Sequence, residues 1–202
     1  MSYSDFTLKK AKLELGFQTA ENRSLFADIK AFSISDYLTQ TLKRNVPLAL
    51  SMNTEKARSE LIIINVLLEV KEQLDDKISL FSGIDFTVDK ARGLNGFCDY
   101  IISASAEQFY LDIPIIAIVE AKNENIISGL GQCIAEMYAA RLYNEQEQCN
   151  LKYIYGTVTT GDEWKFLKLE SDLVSIDKDS YYINDVEKIV GILMQMTQGT
   201  QL

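Results

Sequence analysis

The chain has 202 residues and contains no histidine. That absence removes Ser-His-Asp and Cys-His catalysis, histidine-dependent nucleases and every zinc site that uses imidazole. Any catalysis must rest on carboxylate, lysine, tyrosine or a hard metal held by oxygen. Cysteine is scarce as well. Cys98, Cys133 and Cys149 are widely spaced, form no Cys-x-x-Cys metal pair and, being odd in number, fit no disulfide framework; a reducing cytoplasm is the expected setting. Long apolar runs are missing: no stretch approaches the ~20 residues that a membrane helix needs. The opening residues, Met1-Ser2-Tyr3-Ser4-Asp5-Phe6, lack the basic-then-apolar order of a signal peptide, so no membrane is expected as a partner. Positive charge is in deficit, 20 Lys and Arg against 29 Asp and Glu, for a net charge of −9. This balance counts against broad, nonspecific coating of DNA. It leaves open a local basic groove, or a partner protein that supplies the basic surface.

What is present suits one globular unit with a sizeable core, since 47% of the residues are apolar. The segment from Thr7 to Leu15 reads equally as a short helix or a strand. Ser35 is placed to cap a helix carrying Tyr37, Leu38 and Leu42, and Asn45-Val46-Pro47 should stop it. Residues 1–50 therefore read as an N-terminal helical or irregular extension, and 51–202 as the main domain, the whole forming one compact unit. Asn53 or Thr54 should cap a long helix reaching about Asp76; Ala57, Leu61, Ile64 and Leu68 recur at helical spacing, with enough further apolar residues to make it buried nearly all round. Strands are expected from Ile78 to Val88, Phe97 to Ser103, Ile113 to Lys122, Tyr153 to Thr159 and Trp164 to Leu169. A helix should run from Ser128 to Tyr143. Asn184 with Glu187 resembles a capping box before a last helix carrying Val186, Ile189, Val190 and Leu193. The order predicts an α/β or α+β fold, a mixed central sheet with helices on both faces.

One pattern carries chemistry. Glu120-Ala121-Lys122 closes the apolar run Ile113 to Val119, and residues two apart on a strand share a face. A carboxylate and an ammonium therefore project together from a strand end. If the strand carrying Asp99 lies alongside, a second carboxylate joins them. From these residues alone, Glu120 and Lys122 also read as a strand-end salt bridge, and Asp99 as a turn acceptor after Gly96-Phe97-Cys98. Glu60 falls on the stripe of Ala57, Ile64 and Leu67, where a buried carboxylate needs a partner or a metal; it also reads as an acid favoured near a helix start. Gln132 either approaches the site from the helix start or packs against the sheet. Gly129 and Gly131 beside it would allow close backbone approach and open amides for a phosphate. Lys56, Arg58, Lys90 and Arg92 are candidates for phosphate contact, with ordinary solvated faces as the other reading.

A helix with an acid, antiparallel strands, Asp99, then Glu120-Ala121-Lys122 on the next strand and a following helix: this succession resembles the PD-(D/E)xK nuclease superfamily, the restriction-endonuclease-like fold. The subgroup nearest in pattern is the nuclease region at the N-terminus of type I restriction R subunits. Cys98 stands where the family commonly has proline, and Glu136 and Tyr138 depart from the tyrosine that some members carry four positions after the glutamine. The resemblance spans roughly 54–160. It implies a Mg²⁺- or Mn²⁺-dependent endonuclease acting on DNA, often as a homodimer. Asp99, Glu120 and the backbone carbonyl of Ala121 would hold the metal, Glu60 would stand behind them, Lys122 would sit beside the attacking water, and Gln132 would support the site. The alternative is a catalytically silent subunit that keeps the fold and serves as a DNA-processing or regulatory binding partner.

Overall fold

A computed structural model describes residues 1–198; the last four positions of the expected 51–202 domain lie outside the described residues. Side-chain caps at Thr7, Ser35, Thr54 and Asn125 start four of the helices. Thr7 accepts from the Lys10 amide and opens α1 (Leu8–Leu15), which makes the undecided first segment a helix. Gly16, at φ 76°, ends it in the left-handed conformation. Strand β1 (Gln18–Ala20) follows. Ser35 caps α2 (Asp36–Met52) by accepting from Leu38 N at 3.1 Å.

The expected stop at Asn45-Val46-Pro47 does not occur, and α2 runs through Pro47 to Met52. Pro47 and Lys43, whose carbonyl loses its helical donor, are both exposed, so water can serve that carbonyl. Meanwhile Leu38, Leu42 and Ala49 keep an unbroken apolar stripe on the core side.

Thr54 then caps one continuous rod: α3 (Glu55–Arg58), a π turn (Ser59–Ile63) and α4 (Ile64–Gln73). A π turn holds one extra residue, which rotates the succeeding turns about the axis. Ile62, Ile63, Val66, Leu67 and Val70 are buried, whereas Glu60 is turned outward and Leu68 is exposed. The rod thus buries one face rather than its whole circumference.

The strands are β2 (Ser79–Asp85), β3 (Phe97–Ser103), β4 (Ile115–Ala121), β5 (Ile154–Thr159), β6 (Glu163–Glu170), β7 (Leu173–Ile176) and β8 (Tyr181–Tyr182). Helix α5 (Ile126–Gln146) joins β4 to β5, and α6 (Val186–Gln198) closes the described chain. A 3-10 turn, Ile183–Asp185, leads into α6 and contains Asn184, in place of the expected capping box. All eight strands form one mixed sheet in the order β1-β7-β6-β5-β4-β3-β2, with β8 on β6. The β1–β7 and β4–β5 pairs are parallel; the others are antiparallel.

Helices cover both faces. On one, residues of α2, α4 and α6 pack against Ile116, Val119, Trp164 and Phe166. On the other, α1 and α5 pack against Ile101, Ile118, Leu167 and Val174. Each fully buried aliphatic or aromatic side chain contributes about 1.5–3 kcal/mol as an upper estimate. The N-terminal fifty residues share this body, since β1 extends the sheet beside β7 and α1 lies on α5. A parallel pair needs a crossover, and α5 supplies it between β4 and β5. The crossover brings the C-terminal ends of both strands together, where Lys122 N donates to Thr159 O at 2.8 Å.

Candidate active site

The chemistry-bearing residues gather where β3 and β4 part. Tyr100↔Val119 is the last registered pair at that end. Beyond it the side chain of Asp99 takes over: its Oδ2 accepts from Ala121 N at 2.8 Å. A half-buried carboxylate is thereby fixed in the fork between two strands. Val119 and Ala121 pack into the core beneath α2, α4 and α6, so Glu120, between them, turns toward α5. It is only 1% exposed. Lys122 Nζ is bonded to Glu120 Oε1 and lies 3.4 Å from Gln132 Oε1. Glu120 Oε2 is buried with no hydrogen-bond partner.

The electrostatics arise from this crowding. Burial pushes the Glu120 carboxyl well above its usual range; Glu136 and Asp99 add to the rise, and Lys122 opposes it. For Lys122, burial works downward, but the charge and hydrogen bond of Glu120 hold the ammonium above its ordinary value. Asp99, Glu120 and Lys122 are therefore one interacting group. Gln132 belongs to it through Lys122.

Glu136 was missed by sequence reasoning, which noted it only as a departure from a family pattern. It is fully buried, and its Oε1 accepts from Gln132 Nε2 at 3.0 Å. Burial pushes its carboxyl up to about 8, against the pull of the Gln132 hydrogen bond. The available signal was its spacing: four residues after Gln132, it shares that residue's face of the helix.

On the α3 side, a cleft of about 400 Å³ opens between Glu55, Lys56, Ser59 and Glu60 of the rod, Ser82 of β2, and Asp99, Tyr100 and Ala121. The Ser59 and Tyr100 hydroxyls lie 2.6 Å apart on its wall. Glu60 reaches this cleft, but not as a buried stripe residue: the π turn leaves its side chain 61% exposed, paired with Lys56 Nζ at 2.9 Å. Asp99 and Ala121 thus line the cleft, while Glu120, Lys122 and Gln132 stand on the α5 side of the same strand end.

The other basic candidates lie elsewhere. Arg58 is buried, bonded to Asp162 and, at 2.8 Å, to Thr160 O, so it locks the rod to the β5–β6 turn. Arg92 stacks on the Tyr138 ring of α5 and donates to its hydroxyl at 3.0 Å, on the opposite face of the sheet from the cleft. Lys90 is exposed beside it and does not line the cleft. Gly129 and Gly131 open no phosphate cradle: Asn125 caps α5 and both glycines lie inside the helix. A Cβ at Gly129 would come within 2.7 Å of Val158 Cγ1, and one at Gly131 would overlap the backbone of Phe6 and Thr7, so both serve close packing.

No protein-family model matches the chain, and no curated protein is found to be similar to it. Among the described residues, no three Cys, Asp or Glu side chains are grouped as a metal-binding set. The donors at the strand end are two carboxylates, Asp99 and Glu120, and the Ala121 carbonyl. Among the same residues, no helix is long and apolar enough to cross a membrane.

Proposed function

We propose that this chain is a metal-dependent nuclease of the PD-(D/E)xK kind, with a restriction-endonuclease-like fold, that hydrolyses DNA phosphodiester bonds with Mg²⁺ or Mn²⁺. The observation that carries the reading is the buried Glu120 Oε2 without a partner, on a carboxylate already bonded to Lys122 and close enough to Asp99 to feel its charge. An unpaired buried oxygen costs free energy, and a cation would satisfy it. The donors fit a hard ion, for Mg²⁺ commonly takes one or two carboxylates and keeps several waters.

Asp99, Glu120 and the Ala121 carbonyl would hold the ion, with Glu60 reaching from the cleft wall through water. A bound Mg²⁺ supplies Lewis acidity and a more acidic water. Lys122 offsets the repulsion between the two acids, and its ammonium, steadied by Glu120 and Gln132, can hold a water in line with a phosphorus. Lys56 is the basic side chain on the cleft wall and serves as the phosphate contact there. A cytoplasmic setting, a homodimer for cutting both strands, and a partner protein with a basic surface belong to this reading as fold-level analogy.

A second reading is a silent subunit that keeps the fold and binds a partner. It is favoured by the acidic cleft: Arg58 and Arg92 are engaged elsewhere, and Lys56 is paired with Glu60. Two measurements separate the readings. With Mg²⁺ or Mn²⁺ the purified protein should cut DNA, and Lys122→Ala should reduce cutting at least about 100-fold, with Lys122→Gln as a fold control that keeps a donor for Glu120. Cutting that survives Lys122→Ala rejects the site. Calorimetry showing no Mn²⁺ uptake at near-millimolar metal favours the silent subunit.

A further inference from the structure

Glu136 plays no part in the ligand set, yet it sits fully buried on α5 behind it. A primary amide such as Gln132 can be turned either way, with its oxygen or its NH₂ toward a given neighbour. Here Gln132 Nε2 donates to Glu136 Oε1 at 3.0 Å, and Gln132 Oε1 faces Lys122 Nζ at 3.4 Å. Lys122 Nζ has only donors to offer. An amide turned the other way would set NH₂ against NH₃⁺ and push the lysine off Glu120. Lys122 resists this across a 3.4 Å contact, and the acceptor at Glu136 resists it more closely, at 3.0 Å. Glu136 Oε1 accepts there, as either oxygen of the carboxylate does and as the carbonyl oxygen of the neutral acid does with its proton on Oε2, so the NH₂ points there and the oxygen points to the lysine.

We infer that Glu136 is a positioning residue of this site: by fixing the amide orientation of Gln132 it holds the Lys122 ammonium on Glu120. The inference rests on the nuclease reading only for the consequence of that position, not for the position itself. Glu136→Gln makes the discriminating change. The new amide can offer its NH₂ to Gln132 Oε1, which reverses Gln132 and faces its NH₂ toward Lys122. Exchanging the two residues restores the pattern. In the double variant Gln132→Glu/Glu136→Gln, the carboxylate introduced at position 132 accepts from Lys122. The amide introduced at position 136 donates to that carboxylate, so each bond of the original pair has a counterpart.

The readout is the Lys122 ammonium resonance in isotopically labelled, metal-free protein, identified by its loss in Lys122→Arg. The wild-type signal should be slow to exchange with water. In Glu136→Gln it should exchange at least tenfold faster and move toward free lysine, with the melting curve still cooperative; the exchanged double variant should recover the wild-type signal. An unchanged resonance in Glu136→Gln overturns the inference, and so does a double variant that leaves the lysine displaced or fails to fold. Where Glu136→Gln alone does not fold, the double variant decides by itself. Cutting assays are a separate arm. Glu136→Gln should lower kcat at least tenfold with KM changed less than twofold; should the wild-type protein cut no DNA, the nuclease reading falls while the resonance still tests Glu136.

Discussion

Two buried carboxylates, Glu120 and Glu136, stand behind one lysine, and this sets how the metal-free protein should respond to pH. Both are raised, chiefly by burial, Glu136 to about 8. Between the usual carboxylate range and that value, the unfolded chain has released its proton while the folded chain keeps it. The folded state then binds more protons, so stability falls as pH rises. The contribution is complete at acid pH and lost through about 8, with a slope of up to ~1.4 kcal/mol per pH unit for each proton. Denaturant midpoints measured across this window in EDTA should decline for the wild type, and Glu136→Gln should flatten the decline. Equal slopes for the two proteins would mean that Glu136 is not the group responsible. Glu120 and Lys122 were legible together in the sequence because strand alternation puts residues two apart on one face, and Asp99 only through the expectation that its strand lies alongside. Glu136 was not, because α5 is small and apolar on several sides, which leaves its inward direction without a marked stripe.

Elements here are tied by single side chains more than by propensity, and Glu69 of α4 shows it. Its carboxylate accepts from Ser35 N at 2.7 Å, Ser35 Oγ at 2.6 Å and Gln73 Nε2 at 2.9 Å. It thereby braces the residue that caps α2. Burial opposes ionisation of Glu69, but the Ser35 and Gln73 hydrogen bonds prevail and hold its carboxyl below the usual range. The stability it lends is therefore present above the ordinary carboxylate range and lost as pH falls through its lowered value, opposite in sign to Glu136. Glu69→Ala strands the Ser35 amide and should cost about 2–3 kcal/mol at neutral pH by urea unfolding; a loss below ~0.5 kcal/mol would show that the brace is dispensable. The cap at Ser35 and the rod from Thr54 were readable because their signals are local. The π turn was not, since one added residue per turn leaves the apolar spacing almost unchanged while rotating Glu60 out to solvent. Nor were β1, β7 and β8, of three, four and two residues, which are too short to alternate; β7 and β8 pair along the edge of β6 that β5 leaves free, and β1 pairs beside β7. Pro47 misled for a related reason: helix arrest is a rule about buried or bonded backbone, and this proline has water on the side of its missing bond.

At the scale of the molecule, the proposed nuclease reading requires a chain of net charge −9 to meet a polyanion. Affinity for DNA comes mostly from released counterions, with a slope of log K against log salt of about −0.9 per neutralised phosphate. The cleft wall offers Lys56, and Lys56 is shared with Glu60. Glu55, Glu60 and Asp99 face the same space and repel phosphate until a cation offsets them. Metal-free protein should therefore bind duplex DNA weakly, with a slope magnitude of about 1–2. Adding Mn²⁺ should tighten binding at fixed monovalent salt, because an ion held by Asp99, Glu120 and the Ala121 carbonyl would offset the negative charge of the cleft. Fluorescence anisotropy with labelled duplex, with and without EDTA, measures both quantities. A steep metal-free slope, six or more, would place a basic surface outside the cleft and make that surface, rather than the cation, the principal source of affinity. A shallow slope that Mn²⁺ leaves untouched would point instead to a partner protein as the bearer of positive charge, since an acidic chain with neither feature has no means of holding a nucleic acid strand over its own carboxylates.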